Sequence, residues 1–160
     1  MLKSIILIIS SVMVLLSGCS CENNVREVNR AMVPNPFVSV DSVERAAEGA
    51  GFVFYCPSEV EGYSKKEISY IKNKLIQVVF RDGNKSILLR KAKGTDDISG
   101  DYNKYNNIDN QQVKEYSVTM KGRGDGYYVS SWSYGCFSFA VTSSSPLSAE
   151  YMKTLITSMH

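Results

Sequence analysis

The sequence predicts an α+β fold, in which an antiparallel β-sheet meander carries an N-terminal and a C-terminal helix on one face. Three observations predict this class. Short segments rich in aromatic and β-branched residues recur from about residue 52 to residue 143. Tight turns separate them, which indicates antiparallel pairing because parallel strands need crossovers of a dozen residues or more. Two amphipathic helical patterns flank this strand region.

The first predicted element is a short helix that begins at an N-cap, Asp41. Glu44 follows three residues later, as in a capping box. Gly49 and Gly51 offer a C-terminal stop. Small apolar residues then share one face at helical spacing: Val43, Ala46, Ala47 and Ala50.

The strands come next, and the segment 75–92 is the most distinct hairpin. Its turn, Asp82-Gly83-Asn84, supplies a glycine for positive φ between two alternating apolar runs. Glycines at 122–126 and at Gly135 separate the last strands. The predicted strands are 52–55, 65–71, 75–81, 86–92, 113–120, 127–134 and 136–142.

The final element is a second helix. Ser145 is suited to its N-cap, and Pro146 is suited to its first helical position. The apolar stripe that follows predicts packing against the sheet: Tyr151, Met152, Leu155, Ile156 and Met159.

The beginning of the chain predicts export and lipid anchoring. Lys3 precedes an apolar run of roughly 12 residues, whereas a helix that spans a bilayer needs about 20. Leu16-Ser17-Gly18-Cys19 resembles the lipobox of bacterial lipoprotein precursors. The resemblance implies that residues 1–18 form a signal peptide and that Cys19 carries a diacylglyceryl group. Two acyl chains hold a protein firmly to a membrane.

Residues 19–36 are expected to form a lipidated tether, because they are polar and end in two prolines. Residues 37–160 are then expected to form a single domain. The expected location is the extracytoplasmic face of the cell membrane, with the domain as a monomer.

The charge balance excludes some partners. Without residues 1–18, which contain one lysine, 17 basic residues face 16 acidic ones. Nucleic-acid binding needs clustered positive charge, so no nucleic-acid partner is expected. The chain is expected to contact the membrane only through the lipid on Cys19.

Two cysteines, Cys56 and Cys136, lie in the predicted domain of an exported chain, where disulfides persist. A bridge between them would close a loop of about 80 residues and contribute on the order of 4 kcal/mol. Two free thiols are the alternative. Cys21 lies in the tether.

The sequence offers little for catalysis, and neither enzymatic activity nor a cofactor is expected. Its single histidine, His160, is the last residue. Oxygen-bearing side chains alternate over residues 97–103, as at the start of a calcium loop. Glycine falls at the wrong position and Ile108 stands where that loop needs a glutamate, so side-chain-capped turns are the alternative.

The aromatic residues supply the candidate binding patch. Tyr128, Trp132 and Tyr134 share one strand parity, so a regular strand would place them on one face. An outward face would make them a recognition surface, and an inward face would make them core.

Several segments resemble an uncharacterised domain of clostridial-type lipoproteins, a domain of unknown function related to extracellular domains of anti-sigma-factor-like membrane proteins. They are Asn35-Pro36-Phe37, the AAEGAGF segment 46–52, PSEVEGY at 57–63, KLIQVVFRDGNKSILLRKAKG at 74–94, DDISGDYNKY at 96–105 and PLSAEYMKTLI at 146–156. The resemblance implies a surface lipoprotein of Gram-positive type and supplies no catalytic residues.

The sequence therefore favours a non-catalytic binding or envelope-sensing module. Its ligand would be a peptide, a cell-wall fragment or a protein. The alternatives are an assembly component of the envelope, which would pair through a sheet edge, and a hydrolase.

Overall fold

The computed structural model describes residues 34–160. They form eight strands and two helices: β1 Val38–Val40, α1 Val43–Ala50, β2 Lys65–Ile71, β3 Leu75–Asp82, β4 Lys85–Lys93, β5 Asn107–Val113, β6 Tyr116–Arg123, β7 Gly126–Tyr134, β8 Phe137–Leu147 and α2 Ala149–Thr157. The predicted signal peptide, Cys19 and the tether up to residue 33 lie outside the described residues. Within the described part, neither helix has the length and apolar character that crossing a bilayer requires.

The eight strands form one antiparallel sheet in the order β1-β2-β3-β4-β8-β7-β6-β5. The predicted antiparallel α+β architecture is confirmed at this level. The predicted meander is wrong at one connection, because β4 pairs with β8 and not with β5. Residues 94–106 carry the chain from β4 to the far edge of the sheet, and a connection of this length removes the constraint that neighbours in sequence be neighbours in the sheet.

The two faces of the sheet differ in character. On the face that we name the apolar face, one cross-strand row runs through Ile68, Val78, Leu89 and Val141, and all four are buried. On the opposite face, named the polar face, a matching row runs through Ser69, Gln77, Arg90 and Ala140. This alternation is the two-residue period of a sheet with one face in the core.

Both helices contact the sheet. Helix α1 lies against β2 and β3, and α2 lies against β7 and β8. Ala46 and Ala50 of α1 and Met152 and Ile156 of α2 are fully buried in the hydrophobic core. Small residues let α1 approach the sheet closely, as the predicted stripe indicates.

The helix starts differ from the prediction. The N-cap of α1 is Ser42, whose Oγ accepts a hydrogen bond from the Arg45 N–H at 3.2 Å. The N-cap of α2 is Ser148 and not Ser145, because β8 continues through Pro146 to Leu147. Aspartate and serine can both accept hydrogen bonds from the exposed N–H groups of a first helical turn, so the sequence did not determine which of two nearby candidates is the N-cap.

The segment 52–55 is not a strand of the sheet, although its composition predicts one. Tyr55 instead exchanges two backbone hydrogen bonds with His160, at 2.9 and 3.2 Å. Their rings stack with centroids 4.6 Å apart. The C-terminal residue is therefore held in place by this segment.

Cys56 and Cys136 are both free thiols in the structure, so the possible disulfide is not formed. Cys56 is half-buried beside the core, whereas Cys136 is exposed in the β7–β8 turn. Loss of hydration on burial raises the pKa of the Cys56 thiol to about 11, although the charge of Lys66 acts in the opposite direction.

These environments predict unequal thiol reactivity. At pH 8, iodoacetamide is expected to alkylate Cys136 quickly and Cys56 slowly, because the thiolate is the nucleophile and Cys56 stays protonated and shielded. Peptide mass mapping after short and long exposure measures both rates. A peptide pair that is linked until a reductant is added would contradict the free-thiol state.

Candidate functional site

Side chains from three strands fix the connection 94–106 on the polar face. The Arg90 guanidinium donates to the Ile98 carbonyl oxygen at 2.9 Å, and the Thr142 hydroxyl donates to the Ser99 carbonyl oxygen at 3.0 Å. Lys121 forms an ion pair with Asp97 at 3.2 Å. Each contact starts from a different strand, so the connection is anchored across β4, β8 and β6.

Side-chain-capped turns shape this connection from within. Asp97 accepts a hydrogen bond from the Ser99 N–H at 2.9 Å, and Ser99 Oγ accepts from the Asp101 N–H at 3.3 Å. Asp101 in turn accepts from the Asn103 N–H at 2.7 Å. The alternating oxygens considered for calcium thus cap the backbone two residues further on. In residues 34–160, no group of three or more histidine, cysteine or acidic side chains is arranged to hold a metal ion.

The end of this connection and four strands, β4, β6, β7 and β8, enclose a cleft of about 340 Å³. We name it the Tyr105 cleft. The Tyr105 hydroxyl donates to Asp101 Oδ2 at 2.8 Å, and the Tyr105 and Tyr128 ring centroids lie 6.0 Å apart. The guanidinium of Arg123 lies 5.3 Å from the centroid of the Tyr105 ring. The lining is Ser86, Leu88, Asp101, Asn103, Tyr105, Arg123, Tyr128, Thr142, Ser143 and Ser144.

A β-bulge directs Tyr128 into this cleft. The pairing of β7 with β8 changes register between Tyr127 and Val129, and the pairing with β6 changes between Lys121 and Gly122. Tyr127 is buried in the core and donates to Asp109. Tyr128 contacts Tyr105 on the polar face, and the bulge ends its shared parity with the residues further along β7.

The structure therefore does not bring Tyr128, Trp132 and Tyr134 together as one patch. Trp132 is only 5% exposed and belongs to the core, where it stacks on Phe139. Tyr134 is 54% exposed and meets the Tyr116 ring edge-on at 5.2 Å. Of the three candidates, only Tyr128 lines the cleft.

Sequence reasoning missed Asp101, Tyr105 and Arg123 as partners in one site. One signal was present, since Tyr105 ends the loop in which oxygen-bearing residues alternate. The glycines on both sides of Arg123 predict only a turn at that position. Arg123 contacts Lys104 and Tyr105 only because the long connection returns across the sheet.

The electrostatics of the cleft follow from the hydrogen bond between Tyr105 and Asp101. Desolvation alone would raise the pKa of Asp101, but hydrogen bonds from Tyr105 and Asn103 outweigh it and lower that pKa. Desolvation and the same bond to the carboxylate raise the pKa of Tyr105 to about 12. At neutral pH the pair therefore consists of a neutral phenol and an ionised carboxylate.

The raised pKa predicts how stability responds to alkali. Above pH 10, the unfolded chain loses the Tyr105 proton while the folded chain retains it, so the contribution of this pair to stability falls as pH rises from 10 to about 12. Tyr105→Phe is expected to flatten the stability profile in that window, as measured by urea unfolding at several pH values. Tyr102→Phe, which changes a 97% exposed tyrosine, is the control and should leave the profile unchanged. Identical profiles for all three proteins would contradict the Tyr105–Asp101 coupling.

A larger groove of about 580 Å³ runs along α1, but it is a weaker candidate. Its lining includes Val43, Phe52, Val53 and Phe54, so it is mainly apolar. Specific sites combine such surface with a few converging polar groups that orient the ligand. The Tyr105 cleft is lined mostly by polar side chains, and it supplies such converging groups beside the rings of Tyr105 and Tyr128.

Comparison with protein-family models, curated proteins and solved structures found no match to this chain. The interpretation of the Tyr105 cleft therefore follows from its own geometry and chemistry.

Proposed function

We propose that this chain is a membrane-anchored, non-catalytic surface module, and that its Tyr105 cleft binds a cell-wall fragment containing sugar and peptide. The observation that carries the proposal is the convergence of two tyrosine rings, a carboxylate and a guanidinium on one cleft. The setting in a Gram-positive-type envelope follows from the family resemblance and the lipobox.

The cleft has the groups that such a ligand needs. Ring faces stack on the apolar side of a sugar or on a peptide side chain, while phenol hydroxyls stay hydrated at the rim. Tyr128 and Ser86 also line the cleft, so their hydroxyls can reach a ligand there. The exposed edge of the Arg123 guanidinium could bind a peptide carboxylate.

The arrangement supports binding over hydrolysis. Asp101 is the single acidic residue in the lining, whereas glycoside hydrolysis ordinarily needs two carboxyl groups flanking the scissile bond. Its oxygens already accept hydrogen bonds from Tyr105 and Asn103. The lowered pKa of Asp101 opposes a role as a proton donor near neutral pH.

The fold supports the same proposal. We infer that both helices pack on the apolar face of the sheet, since buried residues of both share one core with it. The polar face then carries the connection 94–106 and the Tyr105 cleft. Acylation at Cys19 would hold the domain at the membrane surface.

Calorimetric titration of the full chain with muropeptides from a muramidase digest of cell wall tests the cleft. We expect saturable binding that Tyr105→Ala weakens about tenfold or more, since losing a central aromatic hot spot costs about 2 kcal/mol and tenfold corresponds to about 1.4 kcal/mol. Tyr102→Ala is the matched control, because it removes an exposed tyrosine from the same connection. Absence of binding, or equal weakening by both variants, would overturn the proposal.

The anchor is tested separately by cell fractionation. The wild-type chain is expected in the membrane fraction and Cys19→Ala outside it. Equal membrane retention of the two proteins would contradict lipidation at Cys19 without affecting the binding result.

A further inference from the structure

Strand β5 ends one side of the sheet, and among residues 34–160 it pairs with β6 alone. It is seven residues long, whereas β1 at the opposite edge has three. A strand at a sheet edge presents unpaired backbone N–H and C=O groups that another strand can pair with. Because β5 is longer than β1, it offers more backbone groups with which another strand could pair.

The register identifies which backbone groups face outward. Lys114 and Glu115 form a two-residue turn, with Lys114 at a φ of 52°, so Val113 and Tyr116 close the hairpin as a hydrogen-bonded pair. From this pair onward, residues of β5 alternate between those whose backbone groups bond to β6 and those whose backbone groups do not. The N–H and C=O groups of Ile108, Asn110 and Gln112 therefore point away from β6.

The edge lacks the features that ordinarily prevent strand pairing. Residues 107–113 contain no lysine, arginine or proline, and the pairing of β5 with β6 has no bulge. Asp109 is the only charged residue, and it accepts a hydrogen bond from the Tyr127 hydroxyl. Ile108 is a large apolar residue that is 59% exposed.

We propose that β5 pairs antiparallel with β5 of a second copy of this chain, about a two-fold axis at Asn110. Asn110 then faces Asn110, and Ile108 faces Gln112, so no like charges are opposed and the exposed isoleucine is covered. An amide carries both a donor and an acceptor, which makes it self-complementary on the axis.

This interaction goes beyond ligand binding in the Tyr105 cleft, and it would give a dimer where the sequence predicts a monomer. The polar faces of the two copies would continue into one another, because a sheet extended by strand pairing keeps its faces. Two clefts would then share one surface. A wall fragment with repeating units could engage both and be held more tightly than by either.

Sedimentation of the full chain in non-ionic detergent tests the pairing. The wild type is expected to show a reversible, concentration-dependent dimer. Asn110→Asp places two carboxylates on the axis while keeping the bond from the Thr119 hydroxyl, so it should weaken dimerisation about tenfold or more at pH 7. Acidification below the carboxyl pKa should restore the dimer. Asn84→Asp in the β3–β4 turn makes the same charge change away from the edge and should have no effect.

Hydrogen exchange of the same samples identifies the surface involved. The amides of Ile108, Asn110 and Gln112 are expected to be protected at high concentration and to exchange quickly on dilution. A wild-type chain that stays monomeric, or a dimer that Asn110→Asp does not weaken, would overturn the proposal. Protection of the three amides in the monomer would also overturn it and would assign the edge to another segment of the same chain.

Discussion

Replacing Trp132 by alanine is expected to lower the free energy of unfolding by about 3–5 kcal/mol. Trp132 is 5% exposed, and its ring stacks on Phe139 with centroids 5.3 Å apart and planes 7° from parallel. The Tyr116 ring lies 6.1 Å away. Strands on both sides hold these neighbours in place, so the cavity left by the indole cannot collapse completely.

Urea unfolding followed by far-ultraviolet circular dichroism measures the loss. This method is needed because Trp132 is the chain's only tryptophan, and its fluorescence disappears with it. Trp132→Phe should cost less, since the indole N–H has no hydrogen-bond partner within residues 34–160 and its removal leaves no group unpaired. Tyr134→Ala, at an exposed position of the same strand, should cost about 1 kcal/mol or less. Equal losses for Trp132→Ala and Tyr134→Ala would contradict the core position of the indole.

The parts of the fold that the sequence predicted well are those that local patterns determine. The hairpin formed by β3 and β4 is an example, because alternating apolar residues lead into the turn at Gly83 and out of it. The end of α1 is another. Gly51 adopts a φ of 73°, as a glycine after the last helical turn ordinarily does.

Strand β5 shows why other parts were not predictable. Residues 107–113 have amide side chains at four of seven positions, only two β-branched residues (Ile108 and Val113) and no aromatic residue, so their conformation depends on backbone bonding to β6. The turn between the two strands has Lys114 at positive φ where glycine or asparagine is usual. The predicted strand 113–120 therefore ran through this turn.

The candidate site was predictable in part for a similar reason. Tyr128 was singled out and lines the cleft, but its predicted companions Trp132 and Tyr134 lie elsewhere. Alternate residues of a strand lie on the same face only while the strand is regular, and the bulge at Tyr127 interrupts this alternation. Tyr105 reaches Tyr128 through a connection whose path depends on tertiary contacts, which no local pattern encodes.

The bulge that directs Tyr128 into the cleft depends on Gly122, and Gly122→Ala is expected to lower the free energy of unfolding by about 1–3 kcal/mol or more. A methyl group built on Gly122 would fall on the Gly126 carbonyl oxygen and 3.2 Å from the Tyr127 Cα. These atoms belong to the backbone, so no side-chain rotation relieves the contact. The ends of β6 and β7 must move apart, which draws Tyr128 away from Tyr105.

Urea unfolding gives the loss of stability, and the ring signals of Tyr105 and Tyr128 in nuclear magnetic resonance spectra report the cleft. Both are expected to change in Gly122→Ala. Ser117→Ala, at an exposed position of the same strand, should leave stability within about 0.5 kcal/mol of the wild type and both ring signals in place. A Gly122→Ala protein with wild-type stability and unshifted tyrosine signals would show that the bulge tolerates a side chain. The close approach of β6 and β7 would then not be what separates Tyr127 in the core from Tyr128 in the cleft.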